Sequence, residues 1–318
     1  MKRLTGYAAG LALMAGAAMA AEYPDRPLQM MVSYGAGGAT DFQARIVTMT
    51  AGNEDALGQP VAIINKPGAG GRVGWNWFAT EAASDGYTLG AYNVPHFIAQ
   101  SIEGGVQYDV DSFEPIANWG ADPAVFVVAT DSDFETMADV IAYAEANPGG
   151  LTFSGAGLFV GHHIAALQLE RAAGVKLAYI PNNAGGAGAM KAVIAGDVMG
   201  GVNNLSDAFR ARESGNVRIL GVFDTARSDF LPDVPTMQEL GYDIDNSSVN
   251  FRGIMVPKGT PPEIIDHLAA TVPAMFENGR VQGKMQDGGS PMHVMTRDEV
   301  IKMWAARQET LSELLAGL

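Results

Sequence analysis

Leu28-Gln29-Met30-Met31-Val32-Ser33-Tyr34-Gly35-Ala36-Gly37-Gly38-Ala39-Thr40-Asp41 is the stretch on which the fold turns. Leu28 to Ser33 reads as a buried strand, Gly35 to Gly38 as a tight loop, and Asp41 to about Ala51 as a helix. The rhythm recurs at once. Val61 to Ile64 is a β-branched strand followed by Asn65-Lys66-Pro67-Gly68-Ala69-Gly70-Gly71, and Thr88 to Tyr92 is a third strand after the turn Ser84-Asp85-Gly86. Strands alternating with helices in this order predict a parallel sheet covered by helices.

A second set begins at Val125 to Val128, after Asp122-Pro123. Thr136-Met137-Ala138-Asp139 predicts a capped helix start, and Asn147-Pro148-Gly149-Gly150 ends that helix after Ala146. A strand at Leu151 to Phe153, the loop Ser154-Gly155-Ala156-Gly157 and a helix from His162 to Arg171 come next. Further strands lie near Leu177 to Ile180, Val198 to Val202 and Arg218 to Val222. No fixed period relates the two sets, so they read as two lobes rather than repeats. Near the end, Gly253 to Val256 is a strand, and Thr260-Pro261-Pro262-Glu263 predicts an N-cap with proline in the first turn. Thr296-Arg297-Asp298-Glu299 opens the last helix, running to about Leu315, with Trp304 as its core anchor.

Lys2 and Arg3, an Ala/Leu/Met-rich run and Ala18-Met19-Ala20 predict an export signal over residues 1–20. Its apolar part is shorter than the roughly 20 residues a membrane crossing needs. No Cys follows the cleavage point to carry a lipid, and no Cys anywhere supplies a disulfide, a thiolate ligand or a nucleophile. The expected location is the periplasm. With 47% hydrophobic and 17% charged residues in 318, the chain has material for a well-formed core. The net charge of −15 disfavours nucleic acid as a partner. An anion bound by so acidic a protein must be held locally, by backbone amides and a few well-placed donors.

Ligands of open parallel sheets sit at the carboxyl ends of strands, where these Gly-rich loops lie. Gly35-Ala36-Gly37-Gly38-Ala39-Thr40-Asp41 passes straight into a helix, so its amides and the helix dipole favour an anion, with the Thr40 hydroxyl as a further donor. Glycine also simply permits tight turns; three such loops at equivalent places point instead to a ligand. Gly35-x-Gly37-x-x-Thr40 and Gly68-x-Gly70-x-x-Val73 both fail the dinucleotide fingerprint at the third glycine, and no P-loop exists. Ser154 is not in a nucleophile elbow. His162 and His163 diverge by about 100° on a helix, which precludes metal sharing in the HExxH manner; one of them is expected to pack or cap near the loop. No carboxylate pair is assignable, and neither cofactor nor metal is expected.

Taken together, these segments resemble the TctC/Bug family, the extracytoplasmic receptors of tripartite tricarboxylate transporters. The resemblance rests on Tyr23-Pro24-Asp25-Arg26-Pro27, the Gly35–Asp41 loop, and Asn65-Lys66-Pro67-Gly68-Ala69-Gly70-Gly71 with Asp85-Gly86-Tyr87-Thr88-Leu89. It continues through Ser154-Gly155-x-Gly157 with His163, Pro232-Asp233-Val234-Pro235-Thr236 and Pro257-Lys258-Gly259-Thr260-Pro261. It implies an α/β, two-lobed periplasmic-binding-protein fold of type II, each lobe a mixed, mainly parallel sheet flanked by helices. Residues 21–122 with 224–318 would form one domain and 123–223 the other, hinged near Ala121–Val125 and Val222–Thr225.

The resemblance also implies a small carboxylate, di- or tricarboxylate, held between the lobes and delivered by a monomer to a membrane permease. By position, the ligand would meet Tyr34, Gly35, Ala36, Gly37, Gly38, Thr40 and Asp41, with Asn93 beyond the third strand. From the other lobe would come Ser154, Gly155, Gly157 and His163, and the region Pro181 to Gly186. Asn182 and Asn183 depart from the Pro-Tyr pattern of many relatives. With Asn203 and Asn204 they offer four amides, either to the ligand or, for the first two, to turn chemistry. Arg252, where many relatives carry an aromatic residue, could grip a carboxylate bidentately or form a salt bridge. Two other readings share the cleft: a sensor presenting ligand to a receptor kinase, and an exported hydrolase, which would need a nucleophile–base pair the sequence does not display.

Overall fold

The computed structural model describes residues 23–316, so the predicted export signal over 1–20 lies outside the described residues. The chain builds β1 (Leu28–Val32), β2 (Val61–Asn65), β3 (Thr88–Val94) and β4 (Phe113–Asp122). It then crosses through Pro123 into β5 (Ala124–Ala129), β6 (Thr152–Gly155), β7 (Ala178–Pro181), β8 (Gly200–Asn204) and β9 (Val217–Phe223). It returns for β10 (Asn250–Pro257) and β11 (Met292–Met295). The first sheet has the order β11-β4-β10-β3-β1-β2 and the second β7-β6-β8-β5-β9. These are two α/β lobes, as the alternation of strands and glycine loops predicts.

Each sheet is parallel on its glycine-loop side and antiparallel near the crossing. β1 pairs in parallel with β2 and β3, and β6 with β7 and β8. β10 lies antiparallel between β3 and β4, while β5 lies antiparallel between β8 and β9. Sequence reading missed β4 and β11. Pro115 and Gly120 interrupt the β-propensity of β4, and its register against β10 shifts between Arg252 and Gly253 and again between Ile254 and Met255.

Local signals placed five of the ten α-helices among the described residues. Thr136 with Asp139 and Thr296 with Glu299 form capping boxes. The helix after β1 spans Ala39–Val47, starting two residues before Asp41 because Gly38 serves as its N-cap. At Pro262–Glu277 the expected cap is not Thr260: Pro261 is the N-cap, and the Thr260 hydroxyl donates to the Pro257 carbonyl at 2.8 Å. Thr260 stands one position too early to reach the first-turn amides. Trp304 is 3% exposed and packs edge-on against Phe97 and Tyr92, with ring centroids 4.9 and 5.2 Å away, tying the last helix to the first lobe. Phe126, Phe153, Leu169 and Met237 belong to the core of the second.

Gly253 shows how tightly β10 is held. A Cβ there would lie 2.1 Å from the Ala117 carbonyl oxygen and 2.4 Å from the Tyr92 ring. Gly253→Ala should therefore destabilise the protein by about 1–3 kcal/mol or more, read from the shift in urea midpoint. An unchanged midpoint would mean that β10 is not clamped between its neighbours.

Candidate functional site

The loop after β1 is fixed from behind. Asp41 turns back into it and accepts the Gly37 amide at 2.9 Å, while Arg45 pairs with the carboxylate at 2.8 Å. Asn65, at the end of β2, donates to Asp41 and to the Tyr34 carbonyl, each at 2.9 Å. Although burial opposes the charged form, these donors hold the Asp41 carboxyl below its ordinary range. Gly37 has a φ of +86°, the left-handed conformation that makes glycine the fitting residue there. Thus secured, the loop presents Gly38, Ala39 and Thr40 to a cavity between the lobes.

That cavity is lined by Tyr34, Gly38, Ala39, Thr40, His96 and Asn250 from the first lobe and by Ala156, His162, Gly186, Asn204 and Asp207 from the second. Its volume is about 20 Å³, room for roughly one water. The lobes touch around it. The Ala39 amide donates to Asp207 Oδ2 at 3.3 Å, Gln100 donates to the Leu158 carbonyl at 3.1 Å, and a Cβ on Gly157 would strike Gly70 Cα at 2.7 Å. A larger open groove of about 530 Å³ lies at the crossing, near Ala121, Asp224 and Gln286. The smaller cavity has the chemistry: its walls include His96 and His162, each with a buried ring nitrogen that lacks a well-formed hydrogen bond.

Predicted residues divide between the wall and its backing. Tyr34, Gly38, Thr40 and Asn204 line the cavity, and a Cβ on Gly35 would lie 3.7 Å from the Ala184 carbonyl of the other lobe. Ala36 and Gly37 lie on the exposed side of the loop. Asn93 is fully buried behind Thr40, donating to its hydroxyl at 2.9 Å and to Asn250 at 3.1 Å. The Ser154 hydroxyl donates to the Ile180 carbonyl at 3.0 Å, and Gly155 accepts the Asn182 amide at 2.8 Å. Gly157 sits at the mouth, its carbonyl accepting from Tyr179 at 2.7 Å. Asn203 donates to the Gly186 carbonyl at 2.9 Å.

Four other candidate ligand positions lie away from the cavity wall in the structure. His163 packs on Tyr179 and Phe159 and accepts the Phe159 amide at 3.1 Å, outside the cavity; its neighbour His162 is the one that faces inward. Asn182 makes turn chemistry, accepting the Ala184 amide at 2.9 Å, and Asn183 is exposed. Arg252 is neither on the surface nor on the cavity wall. It is fully buried, with Nη1 2.6 Å from Asp122 and Nε donating to Thr40 at 3.2 Å. Its strand lies between two others, which leaves this side chain only the seam between the lobes.

Sequence reading missed His96, Asn250 and Asp207. None belongs to a motif; three separate chain turns bring them together, and only Asp207, two residues into a helix, had a local signal. Burial holds His96 well below the ordinary imidazole range, helped by His162 and Arg252 nearby. Burial likewise brings His162 to about 4, against the opposing influence of the Asn204 side chain. The Asp207 carboxyl is raised by burial despite pairing with Arg210. Among the described residues no cluster of three His, Cys, Asp or Glu could hold a metal, and no helix is long and apolar enough to cross a membrane.

The family model described as tripartite tricarboxylate transporter family receptor, TctC, matches residues 44–315. The chain belongs to this family. It is similar to the protein described as lying in the gbd 5' region of Cupriavidus necator, at 36% identity over 82% of this chain and 78% of that one. It is also similar to the BugT protein of Bordetella pertussis, at 32% identity over 89% and 88%. The solved structure of the periplasmic binding protein BugD superposes with a TM-score of 0.84 at 27% identity, covering 93% of this chain and 98% of that one. Like its TctC relatives, the chain is a solute-binding protein of two α/β lobes.

Arg252 now makes a stability prediction. Arg252→Ala leaves the Asp122 carboxylate buried and should cost about 3–5 kcal/mol in chemical denaturation. Arg252→Met with Asp122→Leu should recover most of the loss. A single variant as stable as the natural protein would show that the pair contributes nothing.

Proposed function

We propose that the protein captures a small carboxylate in the interlobe cavity and delivers it, from the periplasm, to the membrane permease of a tripartite tricarboxylate transporter. The single observation carrying this reading is a wall of partner-seeking donors and amides on a helix N-terminus, in a chain of this family. Gly38, Ala39 and Thr40 would meet the carboxylate from one lobe, and Ala156, Gly186 and Asn204 from the other. Asp41, Asn93, Ser154 and Arg252 would act behind them, holding the wall in place. The proposed domains are residues 21–122 with 224–318, and 123–223.

A cavity of about 20 Å³ is smaller than any dicarboxylate. The lobes must separate, rotating about Asp122–Ala124 and the segment after Phe223, and close again on ligand. Chemistry is not part of this reading. A di- or tricarboxylate remains the proposed ligand class. Its further carboxylates would rely on amides and imidazoles, because Arg252 is committed to Asp122.

Succinate, L-malate, citrate, L-glutamate and benzoate form the test panel, with thermal unfolding as the readout. At about 100 times its Kd a ligand should add roughly 2.7 kcal/mol, several degrees in Tm for a chain of this size. Gly186→Val should remove that response while leaving the fold intact. A Cβ at Gly186 already lies 3.3 Å from Asp207 Oδ2 and Asn203 Oδ1 and 3.5 Å from His162 Cε1. Equal shifts for the natural and the substituted protein would move the site elsewhere, and a flat response to the whole panel would defeat the carboxylate reading.

A further inference from the structure

We infer that His96 and His162, one from each lobe, are the side-chain donors that grip the ligand carboxylate, and that capture is linked to proton uptake by His96. The inference rests on the carboxylate reading of the cavity and adds to it the two groups that do the holding. Both rings line the cavity, and both residues are at most 2% exposed. His96 Nδ1 and His162 Nε2 are buried without a well-formed hydrogen bond, the Asn204 side chain beside His162 not meeting it in bonding geometry. A buried polar atom left in that state costs stability unless something else satisfies it.

The tautomer of His162 follows from its neighbours. Its Nδ1 accepts the Ala156 amide at 3.0 Å, so it carries no proton. A neutral imidazole then has its hydrogen on Nε2, and the free nitrogen is a donor. His96 is held from the side by Tyr34, whose ring lies edge-on at 5.9 Å.

The charges around the pair are already matched. Asp207 is bound by Arg210, by the Ala39 amide and by Asn204. Asp122 is bound by Arg252, Gln43 and Ser206. Tyr34 is kept protonated, its pKa raised by burial and by Tyr108. No free carboxylate therefore faces either ring, while Arg252 disfavours a second positive charge there. A ligand carboxylate placed between the rings supplies the missing counter-charge. It makes the imidazolium form of His96 accessible at a pH where the unliganded ring stays neutral, while His162, its Nδ1 taken by the Ala156 amide, donates as a neutral imidazole.

Linkage sets the sign. The His96 pKa is depressed in the free protein and rises in the complex, so the complex binds more protons and affinity increases as pH falls between those two values. From pH 8 to pH 5.5, the Kd of the panel carboxylate that binds should fall by about threefold or more, with an upper slope of about tenfold per pH unit for one linked proton. Isothermal titration of the natural protein at pH 6, in two buffers of different ionisation enthalpy, should give net proton uptake. His96→Gln keeps an amide donor but cannot titrate, so it should flatten the pH profile and reduce the uptake, whereas His162→Gln should weaken binding and leave the pH dependence in place. Binding with a flat profile and no proton exchange would overturn the inference and leave the carboxylate reading standing. No binding by any of the five panel compounds would defeat that reading and this inference together. Should a variant fail to fold, the proton count on the natural protein decides alone.

Discussion

The buried pair of Arg252 and Asp122 is the constraint around which the two lobes are organised. Asp122 is the last residue of β4, immediately before the chain crosses to the second sheet, and Arg252 lies on the strand paired with it. Beside the 2.6 Å contact, Asp122 accepts the Ser206 amide at 3.1 Å from the other lobe, and Gln43 donates to it at 3.2 Å. Arg252 also reaches Thr40 and Gln43, which stand on the helix behind the glycine loop. One ion pair thus touches the crossing, the second lobe and the ligand-facing helix. Burying two charges costs several kcal/mol each, and their attraction offsets this only with good geometry and further hydrogen bonds. The network supplies most of those bonds, although Arg252 Nη2 has no partner.

Such a network favours specificity of arrangement over raw stability. An apolar seam between the lobes would let them slide, whereas the directional bonds that Ser206 makes to Asp122 and Gln43 allow one register. The contacts nearer the mouth are of another kind. The Ala39–Asp207 bond is 3.3 Å long, and the Gly70–Gly157 approach is a van der Waals contact between backbones. Strong polar contacts at the axis and weak ones at the rim suit a cleft that opens by rotation, since the rim separates while the axis keeps its partners.

The fold was largely legible because it is written locally. Glycine loops after β-branched strands, the Thr136 and Thr296 caps and the apolar runs of β1, β3 and β5 each depend on a few consecutive residues. β4 was not legible, since Pro115 and Gly120 sit in a strand whose stability comes from β10, well over 100 residues away. The site was legible only in part. The Gly38–Thr40 turn and Asn204 follow from loop position at the ends of parallel strands. His96, Asn250 and Asp207 do not, because each is an ordinary residue until the lobes meet. Arg252 illustrates the reverse failure. Its charge invited a ligand role, but a guanidinium in a central antiparallel strand has an internal partner one strand away.

An acidic protein that binds an anion must solve its charge problem locally, and here the local cations are already committed. Arg252 is paired with Asp122, Arg210 with Asp207 and Arg45 with Asp41. What remains on the wall is dipolar: the Ala39 amide, which Asp207 holds while the lobes touch, the side chains of Asn204 and Asn250, and two neutral imidazoles. Dipoles bind an anion well when they are preorganised, since nothing has to be reoriented as the ligand arrives. The paired residues supply that preorganisation. Asp41 fixes the loop, Arg252 fixes Thr40, and Asp207 lies across from Ala39 with its charge met by Arg210. The ion pairs therefore serve recognition without touching the ligand, by holding neutral donors where a carboxylate can use them.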